Sequence, residues 1–174
     1  MIEKFDAIVL GGGAAGLIVC DRGRQARPSR DRARTRRSHS EKVLISGGGR
    51  CNFTNLHCQP ENFLSSNPHF CKSALARYTS ADFIALVEKH GIRYHEKHKG
   101  QLFCDGSARE IVAMLEEECR RAGVRIVVGA SVREIRQDTG FVILAGEHEF
   151  HAGALVVATG GLSIPKIGAT LVRL

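Results

Sequence analysis

No run of eighteen consecutive apolar residues occurs in the chain, which excludes a membrane-spanning helix of the usual length. The six cysteines (Cys20, Cys51, Cys58, Cys71, Cys104, Cys119) include no C-x-x-C pair, and their spacing fits no zinc ribbon or finger. No metal site is expected. With 43% hydrophobic residues the chain has core enough without disulfides, so reduced thiols and a cytoplasmic location are expected. No secretory leader is expected either. Glu3 and Asp6 stand where positive charge is needed, and four glycines interrupt Ala7 to Cys20. Collagen-like, coiled-coil and disordered classes fail on composition. A length of 174 residues suits one compact domain with a real core, and is too short for two large ones.

The net charge of +7 is unevenly spread. Asp21 to Ser40 holds eight arginines against two aspartates, leaving about one net positive charge for everything else. The chain therefore reads as a nearly neutral domain with one arginine-rich insert. That insert has no Phe, Tyr or Trp to stack on bases, and Pro28 breaks any amphipathic helix. No specific nucleic-acid partner and no membrane are expected, only salt-sensitive attraction to polyanions.

Phe5 to Leu10 is a short apolar run that predicts a buried strand. It runs into Gly11-Gly12-Gly13-Ala14-Ala15-Gly16, and Leu17 to Cys20 then predicts a buried helix. A G-x-G-x-x-G string in the strand–turn–helix context fits a phosphate-binding turn. Gly11 would allow the tight turn, Gly13 the approach of a pyrophosphate, and Gly16 close packing of helix on strand. Helix-start amides, Ala14 and Ala15 among them, would face the phosphates. The competing reading is a glycine-rich turn with no ligand. Farther on, Thr79 to His90 predicts an amphipathic helix stopped by Gly91, with Phe83, Leu86 and Val87 on one face. Ser107-Ala108-Arg109-Glu110 has the form of a capping box opening a helix that turns Ile111, Met114 and Leu115 inward and ends at Gly123. Val124 to Val128, Ser131 to Arg136, Phe141 to Leu144 and Ala154 to Ala158 predict strands, the last followed by Thr159-Gly160-Gly161. A dinucleotide fold also needs a second strand ending in a carboxylate about twenty residues after the turn. Asp21 to Ser40 offers no apolar run, so neither strand nor carboxylate is expected there.

Lys42 to Asn55 reads KVLISGGGRCNFTN. Together with Gly11–Gly16 and the string ATGGLSIP at 158–165, it resembles the YhiN/BaiN-like family of bacterial flavoproteins. The resemblance covers residues 1–20 and 42–170. It implies an α/β fold, a Rossmann-like FAD-binding domain with an inserted three-stranded β meander. It further implies that the chain, 1–174, is a partial FAD-binding domain truncated before a substrate-side barrel domain. The implied activity is NAD(P)-linked, FAD-dependent reduction of an unsaturated small molecule, with NAD(P)H as electron donor. The family's named representative activity is 3-dehydro-bile acid Δ4,6-reduction. By the same resemblance Ser46, Gly47, Gly48, Gly49, Arg50, Cys51 and Asn52 contact FAD, Val132 lies at the adenine, and Thr159, Gly160 and Gly161 close the site at the last parallel strand. Physically, Gly47 to Gly49 permit positive φ, so that amides converge on an anion. Arg50 suits bidentate pairing with phosphate. Cys51 reads as a small packing residue without a redox role. Both glycine turns are expected at strand ends. No catalytic acid or base is named, since the flavin carries the hydride chemistry.

The insert departs from the family pattern at residues 21–41. Codons compatible with Cys20 to Lys42, read one nucleotide later, permit CAIAGGKRGRRVIVLEHAGAIPKK, which restores a strand and a terminal glutamate. At the end of the chain, codons for the family's Phe-Gly-Tyr read out of phase permit Val172-Arg173-Leu174. Frameshifts are the expected origin of both departures, with weakened FAD binding as the consequence. The competing functional reading is a basic-arm binding module for RNA or another polyanion, without catalysis.

Overall fold

A computed structural model describes residues 2–22, 32–36 and 40–160. It divides into two compact units, Met1–Lys42 with Leu115–Leu174, and Val43–Met114.

The first unit is built on a six-stranded sheet in the order β6-β2-β1-β9-β8-β7. Strand β1 (Ile2–Leu10) pairs in parallel with β9 (His148–Val157) along its length, Ile2 opposite Glu149 and Leu10 opposite Val157. On its other side β1 pairs in parallel with β2 (Arg32–Arg36), which pairs in parallel with β6 (Val124–Val128). Ile8, Val9 and Leu10 are consecutive and all buried, as expected of a parallel strand covered on both faces. One face meets helix α1 (Ala14–Arg22), whose Leu17 and Cys20 are fully buried. The other face packs Phe5, Ile8 and Leu10 against Ile143, Ala145, Phe150 and Ala152. Those partners come from β9 and β8 (Phe141–Ala145), which is antiparallel to both β9 and β7 (Val132–Gln137). The meander thus shares its third strand with the last parallel strand, and Val124–Val128 belongs to the parallel set.

The expectation of no strand between Asp21 and Ser40 is overturned: Arg32–Arg36 is β2, in register between β1 and β6. Parallel pairing uses backbone groups alone, so two flanking strands can recruit a segment whose side chains give no strand signal. The carboxylate that a dinucleotide fold needs is still missing, as expected, because β2 ends in Arg36. Residues 23–31, 37–39 and 161–174 lie outside the described residues, and with them Gly161 and the C-terminal departure from the family pattern.

The second unit holds a three-stranded antiparallel sheet, β3-β5-β4. Its strands are β3 (Asn52–Asn55), β4 (Tyr94–Glu96) and β5 (Gln101–Cys104). One face carries Phe53 and Tyr94, their rings 5.5 Å apart. Phe83 of α4 (Ser80–Lys89) packs on that face, 6.0 Å from Phe53. Helix α4 starts in a full capping box, Thr79 with Asp82, and Gly91 at φ +66° follows its end. Phe83 and Val87 are buried and Leu86 is half-buried. Two further helices are α2 (Glu41–Ile45), crossing from the first unit, and α3 (Lys72–Arg77). Helix α5 (Ala108–Arg121) begins in the second unit and ends in the first, with Ile111, Met114 and Leu115 buried as expected. Its cap is half reciprocal. The Ser107 N–H donates to Glu110 Oε1 at 2.7 Å, while the Ser107 hydroxyl accepts from Arg109 N–H and not from Glu110.

Candidate cofactor-binding site

In the first unit the three motif glycines have three different surroundings. Gly11 has φ +124°, and a Cβ there would lie 2.1 Å from the Ala158 carbonyl oxygen. A Cβ on Gly16 would lie 2.1 Å from the Gly11 oxygen and 3.5 Å from Val9. Gly13, by contrast, has nothing within 4 Å of where a Cβ would be. Two glycines are required by packing, and the third keeps open the space a diphosphate needs. The first intrahelical bond of α1 runs from Leu17 N–H to the Gly13 oxygen. The amides of Ala14, Ala15 and Gly16 precede it and point toward the helix start.

Thr159 and Gly160 follow the carboxyl end of β9. The Ala158 N–H donates to the Leu10 oxygen at 2.7 Å, which sets that turn beside Gly11. Strands β6, β2, β1 and β9 all end at this edge, where open α/β sheets bind ligands. Two side chains that the sequence did not suggest also reach it. Buried Ser40, at φ +67°, gives both its N–H (2.7 Å) and its hydroxyl (3.0 Å) to the Gly12 oxygen. The Lys42 ammonium lies 3.6 Å from where a Cβ on Gly160 would be. A buried hydroxyl bonded to a backbone oxygen twenty-eight residues away leaves no local sequence signal. Val132 opens β7 beyond the carboxyl end of β6, its side chain half-buried against the core of the meander.

The SGGGRCN turn in the second unit differs from expectation in one respect. It follows helix α2 as a tight turn, Ser46–Gly49, and leads into β3, so it stands at a helix end and not at a strand end. The physical reason is the Ser46 hydroxyl, which bonds the Val43 oxygen at 2.8 Å and closes the helix. Gly47, Gly48 and Gly49 take φ of +58°, +66° and +87°. Three successive residues in the left-handed region make a tight turn that side-chain-bearing residues would strain. A Cβ on Gly48 would meet nothing within 4 Å, whereas one on Gly47 would lie 2.6 Å from the Phe103 ring. Arg50 is exposed and Cys51 buried. Burial pushes the Cys51 thiol up, partly offset by a hydrogen bond with Ser46. Cys104 is pushed up to about 12, by burial first and then by the nearby Cys51. Thiols held so far from ionisation are poor nucleophiles at neutral pH, in keeping with a packing role.

The face of this small sheet opposite α4 carries Asn52, Phe103 and His95 in one row across the three strands. The His95 ring stacks on Phe103 and its Nδ1 lies 2.7 Å from Asp105 Oδ1. With the carboxylate as acceptor, Nδ1 is the donor, and the contact fixes the orientation of the ring. The sequence held no pointer to this pair, which only the β4–β5 hairpin brings together. Among the described residues no group of three or more His, Cys, Asp and Glu is placed to hold a metal ion.

A glycine turn between a parallel strand and a helix, an open place at Gly13 and a covering meander define the class: an FAD-binding domain of Rossmann-like α/β type. FAD fits the phosphate-binding turn, where the open Gly13 position leaves room for its diphosphate. It fits less well at the end of β2, where this fold uses a carboxylate for the ribose and the chain has Arg36. The chain belongs to the family described as HI0933-like protein Rossmann domain, which matches residues 5–173. It is 49% identical over 170 residues to a ribosomal RNA dihydrouridine synthase of Escherichia coli K12, covering 97% of this chain and 42% of that protein. To the Haemophilus influenzae protein of the same name it is 44% identical, covering 98% of this chain and 44% of the relative. A 3-dehydro-bile acid delta(4,6)-reductase of Clostridium scindens is 26% identical, with 92% and 40% covered. Among solved structures, a quinol fumarate reductase FrdA of E. coli superimposes with a TM-score of 0.62 at 16% identity, covering 92% of this chain and 33% of that one. That likeness bears on the fold alone. The chain spans less than half the length of the relatives it matches. Two of those relatives are named for ribosomal RNA, at odds with the expectation of no specific nucleic-acid partner.

Proposed function

We propose that this chain is the FAD-binding part of a nicotinamide-linked oxidoreductase that reduces the C5=C6 double bond of a uridine in ribosomal RNA. The observation that carries the cofactor is the contrast at the first turn, with Gly11 and Gly16 closed by backbone and Gly13 open. The product class comes from the two relatives of the same name, at 49% and 44% identity. This replaces the bile-acid type of substrate, whose named relative stands at 26%. The amides of Ala14, Ala15 and Gly16 would hold the diphosphate, with Thr159 and Gly160 beside them. Val132 would lie at the adenine. In the second unit Ser46 to Asn52 would hold the cofactor through the amides of the three left-handed glycines and the Arg50 guanidinium. When bound, FAD supplies the hydride, which it takes from NAD(P)H. The chain's own residues bind and orient it, and the contact with Asp105 fixes the orientation of the His95 ring.

Titration with FAD tests this. Excess FAD should shift the visible flavin band and then be stripped on gel filtration, because the ribose carboxylate is missing. Gly13→Ala should abolish the shift without unfolding the chain. No band shift in the unaltered chain, or an equal shift in Gly13→Ala, defeats the reading.

A further inference from the structure

Aromatics that a single-stranded RNA could stack on are missing from the arginine-rich insert, yet the second unit displays two of them. Phe63 is 46% and Phe70 78% exposed. They stand on adjoining backbone, because the Pro60 oxygen accepts both the Phe63 N–H (3.1 Å) and the Cys71 thiol (3.7 Å). No residue from 56 to 77 is buried, so no core fixes this segment. Its shape is held by local side-chain bonds instead. Asn62 Oδ1 accepts from Gln59 N–H at 2.8 Å, and Asn67 Oδ1 accepts from His69 N–H at 3.0 Å. A stretch ordered by its own polar groups, with its large apolar rings turned outward, is built to present them.

Charge decides what they are presented to. Residues 56–77 contain Lys72 and Arg77, both exposed, against the single carboxylate of Glu61. Exposed His57 packs against the β4–β5 turn at Gly100, next to exposed Lys99. An exposed segment with two outward rings and more cations than carboxylates matches a strand that offers both base faces and phosphates. A segment of protein would ask for apolar contact without the excess of positive charge.

We infer that the exposed segment 56–77, which carries Phe63, Phe70, Lys72 and Arg77, binds single-stranded RNA by stacking bases on the two rings and pairing phosphates with the cations. The inference rests on the RNA reading above and goes further by assigning RNA contact to this surface and not to the arginine-rich insert.

The test uses the full chain and a fluorescein-labelled, mixed-sequence single-stranded RNA of about 12 nucleotides, followed by fluorescence anisotropy across a salt series. The double variant F63A/F70A should bind roughly tenfold or more weakly, since each lost stack is costly. F63Y/F70Y, which keeps both rings, should stay within about twofold of the unaltered chain. K72Q/R77Q should flatten the salt dependence by about 1.4 in log–log slope, two phosphate contacts' worth for a single strand. Both rings are exposed, so circular dichroism and FAD uptake should be the same in F63A/F70A as in the unaltered chain. Binding by F63A/F70A within twofold of the unaltered chain overturns the inference. If R34Q/R36Q then abolishes binding, the RNA belongs to the insert, and this surface serves as cover for another stretch of protein. No RNA binding at all overturns it too. Because FAD uptake is read separately, uptake without RNA binding sinks this inference alone, whereas absence of uptake sinks the proposed function.

Discussion

At Gly11 and Gly16 the nearest obstacle to a side chain is a backbone oxygen 2.1 Å away, which cannot swing aside as a flexible side chain could. Gly11→Ala therefore adds a collision to a φ of +124° that no L-residue adopts with ease. We expect it to cost more than about 3 kcal/mol in urea unfolding. Gly16→Ala should be nearly as harmful. Gly13→Ala should stay within roughly 0.5 kcal/mol of the unaltered chain, since nothing occupies the space. Loss of FAD uptake with stability intact would then belong to Gly13 alone. The thiol of Cys104 gives a second prediction at this scale. Its folded value near 12 stands above an ordinary 9.0. Between those two values the unfolded chain gives up its proton first, so stability is complete below about pH 9 and falls as pH rises toward 12. Urea midpoints at about pH 8 and about pH 11 should show that fall, and Cys104→Ala should reduce it. An equal fall in the variant would place the loss on other groups.

Strand β2 shows how an element can form without its own signal. RARTR has neither the apolar run nor the β-branched content of a parallel strand, yet its backbone completes ladders on both sides, Thr35 opposite Leu10 and Arg36 opposite Val128. It ends in Arg36, at the position where this fold uses a carboxylate for the ribose. Arg36→Glu should restore a charge-assisted hydrogen bond worth about 1.5–3 kcal/mol, or roughly tenfold to a hundredfold in FAD affinity. Fluorescence titration checks it, and an unchanged or weaker affinity would mean that the strand end does not meet the ribose. The meander and α5 were far easier to anticipate. Their apolar positions recur at the right period, and Gly123, at φ +70°, follows where that period stops. Helix α2, by contrast, was hidden within a string read for its glycines, and its end depends on a Ser46 hydroxyl bond that no periodicity reveals.

For the molecule as a whole, cofactor and fold are coupled by mass action. A ligand that binds only the folded chain stabilises it by about 2.7 kcal/mol when present at a hundredfold excess over its dissociation constant. Calorimetry with FAD at that excess should therefore raise Tm by roughly 5–11 °C for a chain of this size. No rise should follow in Gly13→Ala. The residue string itself determined the class of fold and the first glycine turn, because strand, glycine turn and helix are adjacent in the chain and their physics is local. Tertiary structure alone decided that an arginine-rich segment could serve as a strand, that Ser40 would brace Gly12, and that His95 would meet Asp105. It also decided that Phe63 and Phe70 would stand outward on adjoining backbone. Each of those depends on partners distant in the chain or on which neighbours leave a side chain uncovered, and neither is encoded in the spacing of residue types.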